Sequence, residues 1–146
     1  MNYEIQIEKL LTKRIEAIIS KDVEKVISDY SDTVHFFDVV GELQQFGYET
    51  MKMRLKQWLN SMSDDIKFEI WDKKIEASED LASCCSLNHI KAALMQEGEL
   101  DMWWRETLIF RRVNSEWKII HSHSSVPFDP QSGKPSLELK PKDQIE

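Results

Sequence analysis

The sequence predicts an α+β domain in which three N-terminal helices are wrapped by a curved, mainly antiparallel sheet, and three observations carry that reading. Apolar residues recur at helical spacing through the first part of the 146-residue chain, extended runs take over from Ile66, and the links between those runs are short and rich in turn formers. A sheet that curls over helices encloses a cavity between the two layers, so the expected shape already suggests where a site would lie.

Each element has its own signal. Ile7, Leu11, Ile15 and Ile18 fall on one face of a first helix, with Lys9, Lys13 and Glu16 turned outward. Asp22 is placed to cap a second helix, its carboxylate accepting from free backbone N–H groups, with Val23, Val26, Ile27 and Tyr30 as the buried stripe. The β-branched and aromatic run from Val34 to Val40 reads as a short strand ending at Gly41. A third helix follows Gly47, with Met51, Leu55, Trp58, Leu59 and Met62 inward. Four extended runs then cover 66–76, 80–95, 100–113 and 116–125, linked through Ser78-Glu79-Asp80, Gln96-Glu97-Gly98-Glu99 and Asn114-Ser115. Links this short require antiparallel pairing. All four prolines fall in the last twenty residues, so the chain divides into a domain over 1–128 and a Pro-rich tail over 129–146 that wraps the surface or is mobile.

Composition bounds the function. At 41% hydrophobic and 31% charged residues the chain is an ordinary globular one, and its net charge of -7 with scattered Lys and Arg excludes a phosphate-backbone partner, leaving no nucleic acid among the expected partners. No apolar run reaches the roughly 20 residues of a membrane-spanning helix, and the N-terminus lacks a signal-peptide pattern, so a cytoplasmic protein without a membrane partner is expected. Cys84 and Cys85 are adjacent; on a strand they point to opposite faces and serve as reduced, small hydrophobes.

Two stretches carry a family resemblance. From Asp22 through Asp29-Tyr30 and Asp38-Val39-Val40-Gly41 to Gly47, the chain resembles ketosteroid isomerase without a gap. Glu106-Thr107 through Arg111-Arg112 and Trp117 to His121-Ser122-His123 resembles the last hairpin of SnoaL-like proteins, and is similar to the association domain of calcium/calmodulin-dependent protein kinase II. All belong to the nuclear transport factor 2-like superfamily, so the resemblance implies a cystatin-like cone with a ligand pocket. It also implies that Asp38 is the general base. In the same register the oxyanion-donating tyrosine of the isomerase is replaced by Arg14, and its second acidic donor, whose strand position falls near Thr107, has no clear match. The superfamily spans isomerases, cyclases, dehydratases and assembly domains, so fold does not decide function.

The residues themselves offer further candidates. Asp38 at the end of its strand, between Phe36 and Val40, would be desolvated with a raised pKa suited to taking a proton from carbon beside a carbonyl; a loop-capping aspartate is the plainer reading. Strict alternation puts His121 and His123 on one strand face with Trp117, Ile119 and Ser125, where they would polarise a carbonyl or shuttle a proton, or simply be satisfied by neighbours in a half-buried sheet. Arg105 shares a face with Trp103 and Thr107 and could recognise an anionic or carbonyl-bearing ligand, or form a surface ion pair. Tyr30, Phe36, Trp58 and Trp103 supply aromatic walls for a flat ligand, or core packing. No Gly-rich phosphate loop, nucleophile elbow or metal-ligand spacing is present, so no cofactor and no metal are expected.

The expected function is a pocket for a small hydrophobic or carbonyl-bearing ligand, with cofactor-independent proton abstraction as its possible chemistry. A non-catalytic dimeric scaffold is the alternative. Apolar residues on both faces of the central strands, Leu81 and Leu87 on one and Ala82, Ile90, Ala92 and Leu94 on the other, predict a homodimer.

Overall fold

The structure, a computed structural model, describes residues 1–142. Helix α1 (Tyr3–Ile19) starts where Asn2 Oδ1 accepts from the Ile5 backbone N–H at 3.2 Å, and buries Ile7, Leu11 and Ile18 along the expected stripe. Asp22 caps α2 (Val23–Ile27), accepting from Lys25 N at 3.1 Å. This helix is shorter than its apolar pattern suggests. Tyr30 opens strand β1 (Tyr30–Phe37) instead of closing the helix, and the strand ends just before Asp38. A distant partner decides this: the Ile119 N–H donates to Asp29 O at 2.7 Å and sets Tyr30 beside β6, the ladder being irregular from there to His35.

A two-residue edge strand, β2 (Gln45–Phe46), precedes α3 (Tyr48–Asn60) and has no periodic signal of its own. The meander continues as β3 (Lys67–Ala77), β4 (Leu81–Ala93), β5 (Glu99–Val113) and β6 (Glu116–Ser125). Asn114 and Ser115 both take positive φ, +52° and +65°, the geometry a two-residue hairpin needs to match strand twist. The six strands run β2-β1-β6-β5-β4-β3, antiparallel except for β1 beside β6.

One face of this sheet packs on the helices. Phe68, Ile90, Leu108, Phe110 and Ile119 form a single core with Ile7, Leu11, Ile18, Leu55 and Leu59. Cys84 is buried in that layer and Cys85 is exposed on the other side. Burial first, and then Glu106, pushes the Cys84 thiol up to about 12.

An irregularity in β6 decides which of its side chains face the helices. Ile109 pairs with His121 but Phe110 pairs with Ile119, so Ile120 is an extra residue in the β6 ladder. Trp117 and Ile119 point inward before it; Ser122 points inward after it. Beyond β6, the chain makes turns closed by bonds such as Asp129 N to Lys134 O at 2.8 Å and Ser136 N to Pro127 O at 2.8 Å. The last part of the expected tail, residues 143–146, lies outside the described residues.

Candidate functional site

Between the helices and the concave face of the sheet lies a cavity of about 250 Å³. Its walls are apolar: Ile18 from α1, Met51, Leu55 and Trp58 from α3, and Phe68, Ile90, Met102 and Trp104 from the sheet. Three of these rings brace one another, Trp58 at 6.4 Å from Phe68 and 6.1 Å from Trp104, with Phe68 and Trp104 also 6.1 Å apart. Polar groups converge on the same space from α1 (Arg14), β1 (Tyr30), β4 (Asn88), β5 (Glu106) and β6 (Ser122, Ser124).

Arg14 and Glu106 form the centre of that polar group. Both are buried, and Arg14 Nη2 lies 3.7 Å from Glu106 Oε2, an ion pair longer than a hydrogen bond. Glu106 is otherwise well served: Asn88 Nδ2 donates to Oε1 at 2.9 Å and Ser124 Oγ to Oε2 at 3.4 Å, while Ser86 Oγ meets Asn88 Oδ1 at 2.8 Å. Arg14 is not. Its Nε and Nη1 are buried without a hydrogen-bond partner, and its guanidinium lies 5.5 Å from the centre of the Tyr30 ring. Burial works against the charge, but Tyr30, Glu106 and Asp29 outweigh it and hold the Arg14 pKa above its ordinary value. Burial, helped by Glu106 and Asp29 and opposed by Arg14, raises the Tyr30 pKa.

Asp38 lines the cavity where β1 ends, and it is not the isolated carboxyl that its strand position suggests. Arg54 of α3 donates to it from Nε to Oδ2 at 2.6 Å and from Nη2 to Oδ1 at 3.4 Å, and the Val39 N–H donates to Oδ1 at 2.7 Å. The contact with Arg54 is a charge-assisted ion pair.

Of the residues singled out from the sequence, the cavity brings together Asp38, Tyr30, Phe36 and Trp58. The others lie on the convex face. His121 and His123 are displaced by the Ile120 bulge, which reverses the alternation expected from Trp117 onward and turns Ser122 and Ser124 inward in their place. They pack instead with His35 and Phe37, at ring separations of 4.9 Å for His35–His121, 5.0 Å for Phe37–His121 and 5.1 Å for Phe37–His123. His123 also borders a shallow surface hollow that includes Asp38. Trp103 stacks on His89 at 4.4 Å, outside the cavity, because β5 has the opposite parity and sends Trp104 inward. Arg105 follows Trp103 outward and donates from Nε to Ser125 Oγ at 3.1 Å.

Arg14, Arg54, Asn88 and Glu106 join the site without having been singled out as site residues. A signal exists for two of them: Arg14 is a charge on the apolar stripe of α1, three residues from Leu11 and four from Ile18, and Arg54 sits likewise beside Met51, Leu55 and Trp58. Glu106, the neighbour of Thr107, is the acidic side chain that β5 turns into the cavity. Among the described residues, no group of three or more His, Cys, Asp or Glu is arranged to hold a metal ion, and no helix is long and apolar enough to cross a membrane.

Three helices under a curled, unclosed sheet, with an apolar cavity between them and a polar cluster on its wall, define a nuclear transport factor 2-like cone. The chain belongs to the SnoaL-like domain family, whose model matches residues 7–129. It is similar over 95% of its length, and 96% of the other chain, to an NTF2-like protein of unknown function from Pseudomonas putida KT2440, at 27% identity and a TM-score of 0.86. A ketosteroid isomerase-like protein from Erwinia carotovora atroseptica aligns over 82% of this chain and 92% of its own (17% identity, TM-score 0.67). A candidate calcium/calmodulin-dependent protein kinase II association domain from Xanthomonas campestris aligns over 82% and 84% (17% identity, TM-score 0.71). These last two show the shared fold alone. No curated protein matches the chain.

Proposed function

We propose that the protein binds a small apolar molecule bearing an oxygen acceptor, and that Asp38 takes a proton from carbon next to that molecule's carbonyl. The supporting observation is Arg14: a buried guanidinium with two unpartnered nitrogens, Nε and Nη1, on the wall of a mainly apolar cavity that Asp38 also lines. Buried donors without acceptors are costly, and a ligand oxygen removes that cost. In this reading Arg14 takes the polarising role that the sequence suggested for His121, His123 or Arg105.

The chemistry balances without a cofactor. The C–H bond beside the carbonyl breaks, its proton passes to the Asp38 carboxylate, and its electron pair moves onto the carbonyl oxygen facing Arg14. Return of the proton to the same or a neighbouring carbon restores Asp38. The test is deuterium uptake at the α-carbon of a cyclic ketone in D2O. We expect uptake with the wild type, and about 100-fold less or slower with Asp38→Asn, in the range general-base catalysis contributes. Equal uptake by both proteins would reject Asp38 as the base.

The engagement of Asp38 by Arg54 favours a second reading, a binding or scaffold protein without turnover, which the same experiment identifies by ligand binding without exchange. Under either reading we propose a cytoplasmic homodimer formed through the convex sheet face, where Trp71, Leu87, Trp103 and Ile109 are half-buried. A monomer by sedimentation at micromolar concentration would exclude the dimer.

A further inference from the structure

The size of the cavity and its charge count narrow the ligand beyond an oxygen-bearing apolar molecule, provided that the cavity is the binding site proposed above. We infer that the ligand is a compact, uncharged compound of one or two rings with a single carbonyl oxygen, and that the Arg14–Glu106 pair selects it over the corresponding carboxylates.

Size comes first. A space of about 250 Å³ falls below the roughly 300–1,000 Å³ of pockets that take drug-sized ligands. One wall cannot easily retreat to enlarge it, because Trp58, Phe68 and Trp104 pack edge and face on one another and a shift of one ring opens a gap behind it. A fused two-ring skeleton matches such a space, whereas an extended four-ring skeleton would project out of it and leave apolar surface in water.

Charge decides the polar end. Four ionic groups line the cavity, and they pair within the protein: Arg54 with Asp38 and Arg14 with Glu106. Their sum is zero before any ligand enters. A carboxylate would bring an unbalanced negative charge beside Glu106, whose position is fixed by Asn88 and Ser124, after losing its own hydration. An uncharged carbonyl oxygen brings an acceptor and no net charge, and acceptors are what the guanidinium lacks. Arginine does not lose its proton in a protein, so the site cannot adapt to an anion or reject one by titrating Arg14.

The experiment is isothermal titration of the full chain at neutral pH with three probes: 1-tetralone, 1-naphthoate as a two-ring carboxylate of similar size, and a four-ring steroid ketone. We expect 1-tetralone to bind at least about tenfold more tightly than 1-naphthoate, the steroid to bind at least about tenfold more weakly than 1-tetralone, and Glu106→Gln to narrow the ketone-to-carboxylate ratio by about tenfold or more. Should Glu106→Gln fail to fold, the wild-type ratios decide alone. Naphthoate binding as tightly as tetralone overturns the charge selection, and steroid binding as tightly overturns the size limit. In either case the cavity still binds ligands and the broader functional reading survives. If no probe binds the wild type, both the inference and the reading beneath it fail.

Discussion

Arg14 and Glu106 show how one buried residue changes the meaning of its neighbour. An unpaired buried charge is far more costly than a pair replaced by apolar side chains, because desolvation is then offset by nothing. Glu106→Leu alone should therefore cost about 3–5 kcal/mol, whereas Arg14→Met with Glu106→Leu should return to within about 1 kcal/mol of the wild type. Urea denaturation of both variants checks this; additive losses would mean that the 3.7 Å contact carries no coupling. The cysteines give a second test at this scale. Cys84 is buried with its pKa pushed up to about 12, and Cys85 is exposed on the convex face, so an aromatic disulfide reagent should titrate one thiol in the native monomer and the second only on unfolding.

At the scale of elements, what the sequence made legible depended on whether a signal was local. The α1 stripe, the Asp22 cap and the Asn114-Ser115 turn are local, and each stands where its pattern puts it. The α2–β1 boundary is not, because Tyr30 is claimed by a strand that lies about ninety residues later in the chain. Of the candidate site, Trp58 on α3 and Asp38 were legible, whereas Arg54 and the inward side chains of β5 and β6 were not. Trp103-Trp104 offers equal bulk to both faces, and the Ile120 bulge shifts every later residue of β6 by one, so alternation alone assigns the histidines to the wrong side. This makes the bulge testable: with the extra Ile120 deleted, strict alternation from the inward Ile119 keeps His121 and His123 outward and Ser122 and Ser124 inward, so the cavity lining is unchanged. We expect a folded protein that keeps any ligand binding; loss of binding would mean that the bulge itself shapes the cavity. The hairpin carries a stability prediction. Ser115 holds φ of +65°, which costs a residue with a Cβ about 1–2 kcal/mol, so Ser115→Gly should stabilise the protein by about 0.5–1 kcal/mol after the added chain entropy is counted.

Across the whole molecule the two sheet faces divide the titratable residues between them. The concave face holds the Arg14–Glu106 cluster, and all four histidines lie off the cavity, three of them gathered where β1 meets β6. Burial above all, then the nearness of His35 and His123, lowers the His121 pKa from its ordinary 6.5. Around it stand His35, Phe37 and His123, and the His35 Nε2 is engaged by Gln44 Oε1 at 3.0 Å. Proton binding sets the sign of the effect. Between the ordinary value and the lowered one, the unfolded chain holds a proton on His121 that the native chain does not, so native stability rises with pH across that window. It is complete above about pH 6.5 and is lost as the pH falls towards the lowered native value. Replacing the imidazole by an apolar ring removes the titration while filling the space, so His121→Phe should flatten the dependence. The measurement is the urea midpoint at a fixed protein concentration, since association through the same convex face would otherwise add its own concentration dependence. We expect the wild-type midpoint to fall more steeply than that of His121→Phe between about pH 7 and 5.5, above the range where carboxylates titrate. Parallel curves would mean that His121 takes up its proton equally well in both states and that the crowding of imidazoles on the convex face has no energetic consequence.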